Sequence, residues 1–130
     1  MTSLAAYIAV LSIVGPAVEP WSAALNYAHM RESRCGRDPR CLPGRVGPAG
    51  ERGAYQVTPP FVAEVRRISG FTIDPHDDAS CRRGAGIWLD YWGPRVGLTP
   101  SSPAEQVYEL YRRGPSGYRR WIKSTERMPR

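Results

Sequence analysis

A mainly α fold is what this sequence predicts, on three observations. Apolar residues recur at steps of three and four in several separate stretches. Gly-Pro and Pro-Pro pairs punctuate those stretches at short intervals. No segment alternates apolar with polar residues over the length a strand needs. With 130 residues the chain can build one hydrophobic core but not two of ordinary size, so 1–130 is read as a single domain of several short helices. A composition of 42% hydrophobic and 23% charged residues is that of a globular chain and excludes a disordered tail.

The elements follow in order. Leu4 to Val14 is apolar on all sides but too short to span a bilayer, so no stable membrane span is expected. No Lys or Arg precedes it, as would be usual in a secretory signal. Residues 1–18 are therefore read as a buried first helix ending at Gly15-Pro16, with an atypical signal as the alternative. A second helix begins at Pro20, a residue suited to a first turn. Along it Trp21, Leu25, Ala28 and Glu32 share one face, so that a carboxylate ends an apolar stripe.

From Cys35 to Gly53 the chain is rich in Gly, Pro, Arg and Asp and has no periodicity. A long loop or a small β-hairpin is expected there. Thr58-Pro59-Pro60 opens a third helix with Phe61, Val62, Val65 and Ile68 on its inner face and Gly70 as its stop. Asp77 or Asp78 caps a fourth helix, in which Cys81, Ala85, Trp88 and Trp92 keep helical spacing and Gly93-Pro94 is the expected end. Ser102-Pro103-Ala104-Glu105 has the form of a capping box for a fifth helix, with Val107, Leu110 and Tyr111 facing inward. After Gly114-Pro115 a last helix carries Tyr118, Trp121 and Ile122, and 124–130 reads as a patternless basic tail.

A net charge of +6 favours a polyanionic partner, for which nucleic acid, anionic lipid and the bacterial wall all qualify. The arginine doublets (Arg66-Arg67, Arg82-Arg83, Arg112-Arg113 and Arg119-Arg120) are scattered and match no nucleic-acid-binding motif, so nucleic acid is not the expected partner. Three cysteines allow at most one internal disulfide. Cys35 and Cys41 are the expected pair in an oxidising compartment, and Cys81 falls in a helical pattern as a small buried hydrophobe. The cysteines, with His29 and His76, lack zinc-knuckle spacing, and neither metal nor cofactor is expected.

Glu32 is the leading candidate for chemistry. A carboxyl on a hydrophobic stripe loses hydration, which disfavours its ionised form and raises its pKa. A general acid needs that tuning to keep its proton near neutral pH.

Glu32-Ser33, the later run Ala49-Gly50-Glu51-Arg52-Gly53-Ala54-Tyr55-Gln56-Val57-Thr58-Pro59, the segment Ala79 to Leu89 with its Gly-Ala pair, and Leu110-Tyr111-Arg112-Arg113-Gly114-Pro115 occur in that order. Together they resemble the lytic transglycosylase branch of the lysozyme-like superfamily, from about Trp21 to Trp121. Trp88 stands where that family usually has Tyr, and Arg112 where it has Asn. The resemblance implies a lysozyme-like fold and cleavage of the bond between N-acetylmuramic acid and N-acetylglucosamine in peptidoglycan. Glu32 would protonate the glycosidic oxygen and then deprotonate the muramoyl 6-hydroxyl, giving a 1,6-anhydro product. It also implies substrate-binding roles for Ser33, Gly53, Tyr55, Gln56 and Tyr111, with Tyr111 positioning Glu32.

Glu51 is a second carboxylate near the expected cleft. A muramidase using Glu51 or Asp74 as base is the alternative reading. A non-catalytic wall-binding component of a virion or secretion machine is the alternative from another class. A monomer acting in the periplasm or at the cell wall, of bacteriophage or secretion-system type, is the accompanying expectation.

Overall fold

The computed structural model describes residues 19–42 and 44–126. The expected first helix and the end of the basic tail lie outside the described residues. Within them the fold is mainly α: α1 (Ser22–Ser33), a 3-10 turn (Pro39–Cys41), α2 (Pro59–Ser69), α3 (Asp78–Arg95) and α4 (Ala104–Glu126). No helix among the described residues is long and apolar enough to cross a membrane.

α1 starts beside Trp21, whose buried ring sits against α3 and whose indole N–H donates to Asp90 Oδ1 at 2.6 Å. The ring fits because Gly93 has no side chain; a Cβ there would lie 2.6 Å from it. Gly93 is therefore a notch and not the expected stop, and α3 runs on through Pro94 to Arg95. The clash that bars helix before proline is partly with a Cβ, which Gly93 lacks, and the N–H that Pro94 lacks is missed only in a final turn. At its other end α1 closes on Arg34 and Cys35, both left-handed (φ 51° and 59°), whose N–H groups return to Met30 and His29 carbonyls.

Thr58 caps α2 through its hydroxyl, which accepts the Phe61 N–H at 3.3 Å, and left-handed Gly70 ends it. Of the two candidates for the start of α3, Asp77 is the cap, accepting the Ala79 and Ser80 N–H groups. The capping box expected at Ser102 is not formed. Its hydroxyl accepts the Thr99 N–H at 3.0 Å, and α4 begins one residue later, with the Gln106 and Val107 N–H groups bonded to the Pro103 carbonyl. Gly114 is non-helical (φ 74°, ψ 169°) and divides α4 in two, in keeping with the Gly-Pro break read from the sequence.

The segment between α1 and α2 is a loop with one isolated antiparallel bridge, Arg52 to Val57, and no strand occurs among the described residues. Left-handed Gly53 (φ 73°) and Gln56 (φ 50°) fold the chain within it. α1 packs on α4 and α2 on α3, around Leu25, Val65, Cys81, Ala85, Leu89, Val107 and Leu110. Each large apolar side chain buried there contributes roughly 1.5–3 kcal/mol. All three cysteines are free thiols, so the Cys35–Cys41 bridge is not formed here. Cys81 is buried, and burial pushes its thiol up to about 12.

Candidate active site

The packing of α1 on α4 brings the last turn of α1 against the first half of α4. Glu32 Oε1 there accepts a hydrogen bond from the Tyr108 hydroxyl at 2.9 Å. Burial raises the Glu32 carboxyl above the ordinary glutamate range. The Tyr108 hydrogen bond and the charges of Arg112, Arg40 and Arg31 oppose the shift without cancelling it. The protonated form is thus favoured by desolvation, while three cations and a phenol wait to stabilise the anion once the proton leaves.

Glu32 opens into a cleft of about 840 Å³, within the range of small-molecule sites. α4 supplies Tyr108, Tyr111 and Arg112, α2 supplies Phe61, and the loop supplies Arg45, Val46, Pro48, Glu51, Gln56 and Val57. Glu51 shares the cleft with Glu32, its Oε2 accepting the Ala49 N–H at 3.1 Å. Asp74, the other candidate base, does not line it. That residue forms the turn before α3, where its Oδ1 accepts the His76 N–H at 3.1 Å.

The remaining expected site residues divide between cleft and core. Gln56 lines the cleft, with its amide donating to the Gly53 carbonyl at 2.8 Å. Ser33 is 1% exposed; its hydroxyl donates to the His29 carbonyl and accepts the Gly36 N–H, closing the end of α1. A hydroxyl so committed is not offered to a sugar. Gly53 is buried and permits a close approach, but to the protein itself: a Cβ there would lie 1.8 Å from the Pro75 carbonyl oxygen. Tyr55 is a core residue, stacked on His29 at 4.9 Å with its hydroxyl 3.2 Å from Arg82.

Tyr111 does not hold Glu32. Its hydroxyl donates to the Tyr55 backbone carbonyl at 2.8 Å and fixes the loop to α4, and burial lifts the phenol well above its usual range. Tyr108 takes the position expected for Tyr111. The two stand one helical turn apart on the same face of α4, so helical spacing alone admits either. Tyr108, Arg40 and Arg45 are the cleft residues that the sequence did not single out, and for Tyr108 that spacing was the available signal.

Among the described residues no three His, Cys, Asp or Glu side chains gather as metal ligands would. Comparison with protein-family models, curated proteins and solved structures finds no match to the chain.

Proposed function

We propose that the chain cleaves peptidoglycan glycan strands as a lytic transglycosylase, with Glu32 as acid and then as base. One observation carries the reading: a carboxyl inside a cleft, its proton affinity raised by burial, with one oxygen fixed by Tyr108. A helical frame with a long loop between the helix ending in Glu32 and the next one is consistent with a lysozyme-like domain.

In this reading Tyr108 orients the carboxyl through Oε1, and Oε2 is left to meet the substrate. The Glu32 proton passes to the glycosidic oxygen as the bond from that oxygen to the anomeric carbon breaks. The departing N-acetylglucosamine keeps that proton as its 4-hydroxyl. The Glu32 carboxylate then takes the proton of the muramoyl 6-hydroxyl while that oxygen bonds to the anomeric carbon, and Glu32 ends protonated as it began. The nucleophile belongs to the substrate, so its effective concentration is high and no second carboxylate is needed.

Arg112 and Arg40 favour the carboxylate that exists between the two proton transfers. Action in the periplasm or at the cell wall, as part of a phage particle or a secretion machine, accompanies the reading.

Glu51 in the same cleft favours a second reading, hydrolysis with water activated by Glu51. Mass spectrometry of digested peptidoglycan separates the two, because hydrolysis adds a water that the anhydro product lacks. A wild-type protein that binds the wall without releasing fragments, alongside an identical Glu32→Gln variant, would assign a non-catalytic wall-binding role.

A further inference from the structure

The guanidinium groups that line the cleft differ in how far the protein itself pairs them. Arg112 and Arg40 both favour the Glu32 carboxylate by their charge, without a hydrogen bond to it. Arg40 is accounted for within the protein: it forms a bidentate pair with Asp38, whose carboxyl is held down to about 2. Two others are not. Among the described residues Arg112 pairs only with Glu109, 3.6 Å away, and Glu109 is already hydrogen-bonded to Arg113. Among the described residues no carboxylate pairs with Arg45, which comes from the loop side of the cleft. Arg45 and Arg112 are both exposed, so their guanidinium groups are available from the loop side and the helix side of the cleft, and each can offer a carboxylate two parallel hydrogen bonds.

We infer that Arg45 and Arg112 are specificity residues that bind carboxylates carried on the sugar strand, and that the cleft selects acidic glycopeptide strands over neutral amino-sugar polymers. The inference rests on the reading of the site as a glycan-cleaving one for the identity of its ligand. It adds the chemical class of strand that the cleft accepts.

The test uses Glu32→Gln, which binds without turnover, in isothermal titration against three tetrasaccharides. The first alternates N-acetylglucosamine with N-acetylmuramic acid bearing stem peptides with free carboxylates. The second is the same compound with those carboxylates amidated, and the third is neutral chitotetraose. The free-carboxylate ligand is expected to bind at least about tenfold more tightly than the other two, with the advantage shrinking as salt is added. Adding Arg45→Gln or Arg112→Gln should remove most of that advantage, with circular dichroism and the melting temperature showing that the variants fold. Arg112→Lys should retain part of it.

Equal affinity for the three ligands, no binding of any of them, or indifference to both arginine changes would overturn the inference. Wall cleavage by the wild type together with equal affinities would remove this inference and leave the cleavage reading. Discrimination among ligands without cleavage by the wild type would do the reverse.

Discussion

The two walls of the cleft are built differently. The helical wall presents Glu32 and Tyr108 from α1 and α4, each backed by buried residues such as Leu25, Ala28, Val107 and Leu110. The loop wall presents Arg45, Val46, Glu51 and Gln56, and it is held by short backbone turns, one bridge and the bond from Tyr111 to the Tyr55 carbonyl. Val46 stands 53% exposed there, whereas Leu25 on the other side is 1% exposed. Proton transfer tolerates little misplacement and belongs on the packed wall. Recognition of a long polymer is suited to a wall whose groups face solvent.

The sharpest break of this comparison is Glu32→Gln. It should lose roughly 10²- to 10⁴-fold in cleavage rate, measured by release of soluble fragments from purified peptidoglycan. A rate within a factor of about three of wild type would remove Glu32 from the reaction. The same variant should be at least as stable as wild type at neutral pH. The folded-state pKa of Glu32 is raised, so the native protein binds more protons than the unfolded chain and stability falls as pH rises from the ordinary glutamate range through the raised value. Gln does not titrate, and urea melts at pH 4 and pH 7 should show wild type losing stability relative to the variant as pH rises.

On the loop side the largest effect expected is on folding. Gly53→Ala places a Cβ against the Pro75 carbonyl at a left-handed φ of 73°, and should destabilise by more than about 2 kcal/mol in urea unfolding. Wild-type stability in that variant would mean that the loop wall moves freely of α3 and its preceding turn.

The two tyrosines sharpen the contrast further. Tyr108→Phe removes a hydrogen bond that lowers the Glu32 pKa, so the limb of the pH–rate profile where the acid loses its proton should move to higher pH, with a rate loss of about tenfold or less. Tyr111→Phe should lower stability by about 1 kcal/mol, by loss of its bond to the Tyr55 carbonyl, and leave that limb in place. A limb that moved with Tyr111 and stayed with Tyr108 would reverse the assignment.

The smallest effect is expected at Glu51. Glu51→Ala should keep the product anhydro and the rate within about tenfold, or less than ~1.4 kcal/mol of transition-state stabilisation. A dead variant, with reducing-end products from the wild type, would install the hydrolytic reading.

The difference between the walls also explains what was legible in the sequence. Leu25, Ala28 and Glu32, or Val65 and Ile68, reveal themselves by helical spacing, because a helix on a core has one buried stripe whatever its neighbours are. Thr58 and Gly70 were legible as the ends of a helix because their chemistry is local, and Asp77 was legible as one of two adjacent candidates for a cap. Ser102 had the right local chemistry, but its hydroxyl serves Thr99 instead. Tyr111 was named where Tyr108 stands, since the choice between them depends on the axial position of α4 along α1. Ser33, Gly53 and Tyr55 were placed in the cleft by motif, while the fold turns all three inward, Ser33 at the end of α1 and the other two in the loop, where no periodicity records which side faces water.

One detail far from the cleft sets where Glu32 stands. α1 is a stiff rod with Trp21 at one end and Glu32 eleven residues on, a span of about 16 Å at the helical rise. Trp21 is a peg seated in the notch left by Gly93 and latched to Asp90, so the rod's position along its axis is gauged at the end away from Glu32. Filling the notch should push the rod along its axis, and a misplacement of about 1 Å at a reacting group can cost roughly a hundredfold in rate. Substitutions that abolish activity are therefore expected in two places, around the carboxylate and around its remote peg.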